Sequence, residues 1–575
     1  MNTPPLAGGA AGPDALRPLL GTVLDALRDG AEARGGPLPA GGPGRVAARL
    51  REATGPVLPE TGRGPHEALH ALVRALAEGA ADPADPHCAA HLHCPPLALA
   101  AAADLAAAAL NPSMDSWDQA PAASALEAST ARELAALVYP YGPDTSAPPY
   151  GPDTSAPPYG PDTSAPPYGP DASAPPYGPD NSPPPYDPDV APLPYSPAAS
   201  PRPYGTGTSP RRPRQPHTPG IPHILTSLAH PYRPATPAIP GRSHEDEQPD
   251  ALVTTGGTES NQLGLLLARE HARTRHTEPL RIVCGANAHH SVHRAAWLLG
   301  LPEPLTLPTP DGTLDPHTLH TALTDLRHPG SPGAPAVPVL VCATAGTTDT
   351  GAIDPLPALA DLTRAHGARL HVDAAYGGPL LFSATHRPLL DGLHRAHTVT
   401  LDLHKLGWQP VAAGLLAVPR AADLAPLTHR AAYLNADDDT EAGLPDLLGR
   451  SLRTTRRPDI LKMAVTLQAL GRTGLADLVD RTLAAARTFA GLIDDHPAFE
   501  LHSHPVLSTV LFRPTGADDT TVATIRRRLL HQGRAVLGRA ATPTGLWLKA
   551  TLLNPHTTTD DLASLLKLVE GHTSR

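Results

Sequence analysis

From about residue 250 onward, short apolar runs alternate with stretches whose apolar positions recur every three or four residues. The runs at 251–254, 280–284, 338–343, 369–375, 398–403 and 411–418 read as buried strands, rich in Val, Leu and Ala. Between them, 262–274, 290–299, 315–326 and 356–366 carry helical spacing. Strands separated by helices predict a mainly parallel sheet covered on both faces. An amphipathic stretch at 460–492 then leads into strand, helix, strand, helix at 506–512, 521–531, 545–553 and 558–569, a series suited to a separate small α+β domain. Upstream, 16–27, 66–76 and 122–138 have helical spacing; the first two need a partner surface, because alone they bury too little.

One stretch has neither period. Tyrosines at 141, 150, 159, 168, 177, 186, 195 and 204 mark a nine-residue repeat, Tyr-Gly-Pro-Asp-Thr-Ser-Ala-Pro-Pro, which holds most of the 12 tyrosines. Proline removes backbone donors and fixes φ, so this composition cannot build a packed core. The expected organisation is an N-terminal helical segment at 1–84, a large domain from 85–137 and 249–450, a disordered insert at 138–248, and a small domain at 451–575.

Composition narrows the class. The 575 residues carry a net charge of −11 with 18% charged residues, which leaves no basic footprint for nucleic acid. Four cysteines are too few for a disulfide framework, and the start lacks a basic, apolar leader. No apolar run reaches membrane-spanning length. A cytoplasmic protein without membrane partners is expected. Three His and two Cys crowd into 87–94, but their spacing matches no zinc pairing, so no metal is expected.

The chemistry sits at strand ends. Lys405 follows the 398–403 strand and Asp373 closes the 369–375 strand. Ligands of open α/β sheets bind at the carboxyl ends of strands. A lysine there is ordinarily a surface ammonium. Paired with a strand-end acid, it becomes what pyridoxal phosphate requires: an amine to hold the cofactor aldehyde and a carboxylate to keep the pyridine nitrogen protonated. Gly256 and Gly257, with Thr258, open a helix directly after a strand, which is either a phosphate-binding helix start or an ordinary capped one. His289 also follows a strand; it is either structural or able to stack on an aromatic ring.

In order, His91-Leu-His-Cys-Pro-Pro96, Asn111-Pro-Ser-Met-Asp-Ser-Trp-Asp-Gln119, Gly256-Gly-Thr-Glu-Ser-Asn261, His371-Val-Asp-Ala-Ala375, Asp402-Leu-His-Lys405 and Ser451-Leu-Arg-Thr-Thr-Arg-Arg457 resemble the pyridoxal-phosphate-dependent group II amino-acid decarboxylases. Within that family the likeness is to 2,4-diaminobutyrate decarboxylases and siderophore-type lysine/ornithine decarboxylases. The resemblance implies an aspartate-aminotransferase-like fold (fold type I) with a seven-stranded large-domain sheet, and a homodimer with active sites at the interface. It implies that Lys405 binds pyridoxal 5'-phosphate covalently, that Asp373 faces its ring nitrogen, and that Ala375 and His289 flank the ring. Gly256, Gly257, Thr258, His404 and Asp402 would surround the phosphate, and Thr344 would line the cofactor. Arg456 would grip the substrate carboxylate, Trp117 would line the substrate site, and Tyr433 would protonate the substrate carbon. The implied reaction is decarboxylation of a basic diamino acid. The rivals are an aminotransferase of the same fold, an aromatic- or glutamate-type decarboxylase, and a non-catalytic scaffold whose repeat recruits partners.

Overall fold

The computed structural model describes residues 4–140, 246–327, 337–429, 431, 434 and 437–573, all within one compact unit. The nine-residue repeat, and with it nearly all of the expected insert at 138–248, lies outside the described residues, as does Tyr433.

In chain order the strands are β1 (Cys88–Ala89), β2 (Asp250–Thr254), β3 (Arg281–Gly285), β4 (Leu305–Leu307), β5 (Val339–Thr344), β6 (Arg369–Ala374), β7 (Thr398–Asp402), β8 (Gly414–Val418), β9 (Phe499–Leu501), β10 (Thr509–Pro514), β11 (Val536–Thr542) and β12 (Gly545–Thr551). Among the described residues they form two sheets. The larger has seven strands in the order β2-β8-β7-β6-β5-β3-β4. Strands β4, β3, β5, β6 and β7 are mutually parallel, while β8 runs antiparallel to both β7 and β2. Every residue of β2, β5, β7 and β8 is buried, as expected where helices cover both faces of a sheet.

The smaller sheet has the order β1-β11-β12-β10-β9 and its own apolar core around Phe489, Phe512, Ile525 and Leu565. Two expectations change here. Residues 88–89, assigned above to the large domain, pair parallel with β11 and so extend the smaller sheet. Strand β11 was not anticipated, because Gly538 and Arg539 interrupt its apolar run. The N-terminal segment carries three helices, Gly12–Arg34, Gly42–Thr54 and Pro65–Gly79. The long helix Ile460–Asp494 is broken at Gly471 (φ 62°), a left-handed conformation that a side chain would strain. No described helix is long and apolar enough to cross a membrane.

One hydroxyl ties the larger sheet to the smaller. Tyr376, just past β6, is buried, and its oxygen meets Ser508 Oγ at 2.8 Å and Thr509 Oγ1 at 3.0 Å while accepting from Ser508 N at 3.1 Å. Strand β10 therefore begins at Thr509 rather than at 506.

Candidate active site

Register brings the strand-end residues together. Across the parallel ladder Thr344 of β5 pairs with Asp373 of β6, and Asp373 pairs with Thr400 of β7. Asp402 closes β7, and Lys405 follows in the turn. At the same edge, the helix Gly257–Arg273 starts directly after β2. These elements enclose a cavity of about 310 Å³. Its walls contain Gly256, Gly257, Thr258, His289, Thr344, Asp373, Ala375, Asp402, His404 and Lys405, which are all ten residues expected from sequence to hold the cofactor.

The glycine pair is required by space. Gly256 has φ +148°, and a Cβ there would lie 2.9 Å from His404 Cε1; a Cβ on Gly257 would lie 3.0 Å from Ala375 Cβ. Without side chains, the first amides of the helix stay accessible as an anion site, and the helix dipole adds partial positive charge. The Lys405 ammonium lies 3.0 Å from Asp402 Oδ2, and His404 Nε2 lies 3.4 Å from the same oxygen. Asp402 Oδ1 is buried with no hydrogen-bond partner. Burial pushes the His404 imidazole below its usual pKa despite the Asp402 carboxylate beside it. A reactive amine, a strand-end carboxylate, an exposed helix start and an orphaned acceptor in one cavity fit pyridoxal phosphate.

Behind Asp373 lies a buried network that the sequence reading did not assign. Asn261, in the first turns of the helix, donates through Nδ2 to Asp373 Oδ2 (2.7 Å) and to Ser291 Oγ (2.8 Å). Its Oδ1 accepts from Thr400 Oγ1 (2.7 Å) and faces His371 Nε2 (2.9 Å), and His371 Nδ1 meets Thr398 Oγ1 at 2.8 Å. Asp373 Oδ1 accepts from Ala375 N at 3.1 Å. Burial drives His371 down to about 4 and also lowers His289, whose Nδ1 lies 2.8 Å from Ser291 Oγ. The available signal was position: Asn261 follows Gly257 by one helical turn, so it faces the sheet that Gly257 abuts.

Two expected residues are elsewhere. Arg456 is not in the cavity wall; it is 4% exposed and spans both oxygens of Glu127, with Nη2 to Oε1 at 2.7 Å. Its Nη1 and Nη2 are committed to a carboxylate on the helix Pro121–Val138 rather than directed into the cavity. Trp117 also lies outside the cavity wall and is partly exposed. The cation adjoining the wall is Lys549 of β12, which donates to the carbonyl of Thr348 (3.2 Å), a cavity residue, and to Asp349 Oδ1 (2.8 Å).

Residues 238–515 match the model of the pyridoxal-dependent decarboxylase conserved domain. An L-2,4-diaminobutyrate decarboxylase of Acinetobacter baumannii is 31% identical over 353 residues, covering 56% of this chain and 68% of that protein. The chain belongs to the pyridoxal-dependent decarboxylase family. A second relative, the L-2,4-diaminobutyrate decarboxylase of Rhizobium meliloti (strain 1021), is 40% identical over 331 residues, or 56% of this chain. The match spans 65% of that relative's length. Among solved structures, the glutamate decarboxylase domain of a diaminobutyrate-pyruvate transaminase and L-2,4-diaminobutyrate decarboxylase from Vibrio parahaemolyticus superposes with a TM-score of 0.71. It is 27% identical, and the superposition covers 99% of this chain and 97% of that one. The fold is thus the aspartate-aminotransferase-like fold type I of pyridoxal-phosphate enzymes, and the cofactor expected from Lys405 and Asp373 is the family's own.

Proposed function

We propose that this family member decarboxylates an L-amino acid to its amine and carbon dioxide, with a basic diamino acid as substrate. The observation that carries the reading is the meeting of Lys405, Asp373 and the Gly256–Gly257 helix start around one cavity. The diamino-acid preference rests on the two diaminobutyrate decarboxylase relatives. Pyridoxal phosphate, when bound, supplies the electron sink that lets a carboxylate leave as carbon dioxide.

The residues of this chain do the rest. Lys405 would hold the cofactor through its amine. Asp373 would offer its carboxylate to the pyridine nitrogen, His289 would lie against the ring, and the helix amides with Thr258 would hold the phosphate. Lys549 takes the place of Arg456 in our reading as the cation for the substrate carboxylate: its ammonium adjoins Thr348, and its pair with the exposed Asp349 is more readily given up than the buried Arg456–Glu127 pair. Tyr433 returns a proton to the substrate carbon. We further propose a homodimer, with a large domain built on the seven-stranded sheet and a small one on the five-stranded sheet.

The test is amine and carbon dioxide release by cofactor-loaded protein offered 2,4-diaminobutyrate, ornithine, lysine, glutamate and an aromatic amino acid, with Lys405→Ala as control. A diamine that the variant cannot make is the expected product. Binding of the cofactor without carbon dioxide release from any substrate would refute decarboxylation. Wild-type turnover in Tyr433→Phe would remove that residue from the proton step.

A further inference from the structure

The directions of the hydrogen bonds behind Asp373 follow from chemistry alone. A carboxylate only accepts, so the Asn261 atom facing Asp373 Oδ2 must be the amide nitrogen, and Oδ1 must face the other way. Oδ1 only accepts, so Thr400 donates its hydroxyl and His371 must carry its proton on Nε2. Burial holds His371 neutral, so its Nδ1 is an acceptor and Thr398 must donate to it. On the other branch, the second amide hydrogen goes to Ser291 Oγ. The Ser291 backbone N–H points at His289 Nδ1 (3.4 Å), so that nitrogen accepts as well and the His289 proton sits on Nε2. With these directions each side-chain donor of Asn261, Thr400, His371, Thr398 and Ser291 meets an acceptor.

From this we infer that Asn261 is a positioning residue whose amide, held by the Asp373 carboxylate on one side and supported by Thr400 and the Thr398–His371 pair on the other, aims Asp373 at the cofactor and sets the tautomer of His289. Were the amide to turn over, its oxygen would face the Asp373 carboxylate and its nitrogen would face the donors of Thr400 and His371. The first contact would be repulsive in a low-dielectric interior, and the second would require Thr400 to turn its hydroxyl, His371 to move its proton to Nδ1 and Thr398 to accept it. Thr398 begins β7, at the opposite end of that strand from Asp402, and it is not in the cavity wall. Through His371 its hydroxyl nonetheless supports the amide orientation that Asp373 receives. The arrangement needs a glycine on the helix: a Cβ on Gly264 would lie 2.8 Å from His371 Cε1, so the ring occupies the space that a side chain there would take.

The inference rests on the cofactor reading above, and one titration separates the two. Wild type, Asn261→Ala, Thr398→Val and Thr398→Ser, stripped of cofactor, are titrated with pyridoxal phosphate and followed by visible absorption and circular dichroism, with thermal melting of each apoprotein alongside. Asn261→Ala is expected to lose at least about tenfold in affinity, the factor that 1.4 kcal/mol represents. Thr398→Val, nearly isosteric but without the hydroxyl, should lose about three- to tenfold and change the cofactor's dichroism, a loss of about 1 kcal/mol. Thr398→Ser, which keeps the donor, should restore both. Variants that melt earlier yet bind and absorb like wild type would overturn the inference, leaving the network merely structural. If wild type itself took up no cofactor, the proposed function would fall and this inference with it.

Discussion

If Arg456 is committed to Glu127, its loss must register first in stability. Both side chains are at most 4% exposed, and the guanidinium spans both carboxylate oxygens. Removing one partner of such a pair strands a buried charge and costs about 3–5 kcal/mol. Arg456 Nε has no partner, so replacing the arginine also removes an orphaned donor, which puts Arg456→Met at the lower end of that range. Glu127→Leu leaves the guanidinium buried and unpaired and belongs at the upper end. The double variant, two apolar side chains of similar volume, should recover most of the loss, because a buried ion pair rarely outperforms well-packed hydrophobes. Urea unfolding of the apoprotein gives the three midpoints, and decarboxylation kinetics on the same samples give KM. A midpoint for Arg456→Met equal to wild type, together with a raised KM, would refute the structural assignment and return Arg456 to the substrate. Two singles whose losses simply added in the double would refute the direct pairing.

Three further perturbations test other parts of the architecture. Gly256→Ala forces a side chain into a backbone region that only glycine occupies freely and against the His404 ring; a cost of about 1–3 kcal/mol and a weakened grip on pyridoxal phosphate are expected from melting and cofactor titration. Tyr376→Phe removes the hydroxyl shared by Ser508 and Thr509 and strands the buried Ser508 amide, so urea unfolding should show a loss of about 1–3 kcal/mol. For pH, the folded pKa of His371 lies below its ordinary value, at about 4, so the unfolded chain binds the proton more readily. Stability is therefore complete above about pH 6.5 and falls as pH drops from there toward 4, by up to about 1.4 kcal/mol per pH unit for this residue. Apoprotein melts that do not change between pH 6.5 and 5 would contradict a buried neutral His371.

What the sequence disclosed and what it withheld divide along physical lines. Strands β2, β3, β5, β6 and β7 were legible because burial on both faces demands unbroken apolar runs, and Lys405, Asp373 and the glycine pair because few residue types serve their chemistry at a strand end. The direction of β8 was not legible: Gly-Leu-Leu-Ala-Val is buried throughout and reads the same parallel or antiparallel. Strand β1 is two residues long and carries no period at all. Arg456 was placed by motif, but its partner is 329 residues away, and no local pattern shows which carboxylate a buried arginine will meet. Asn261 stood inside a quoted motif without a role, since its role depends on His371 and Thr400, which two other strands bring to it.

The way polar capacity is distributed in the cavity explains why these particular residues belong there. Below the floor every group is neutral and matched: Asn261, Thr400, His371 and Thr398 satisfy one another, so none competes for the Asp373 carboxylate from behind. Each Asp373 oxygen accepts one protein donor, leaving lone pairs on both for a donor in the cavity. In the wall, the unspent acceptors are Asp402 Oδ1 and Asn287 Oδ1, both buried without partners. The unspent donors are the first amides of the helix at Gly257 and the ammonium of Lys405, which Asp402 holds on one side only. A molecule that completes this site must therefore present N–H or O–H groups to Asp373, Asn287 and Asp402 and an anion to the helix start. A small aromatic cation carrying a phosphate meets those demands; a plain dicarboxylate or a nucleotide base alone does not, because each leaves one of the two sets unsatisfied at a cost of about 1–3 kcal/mol per buried group.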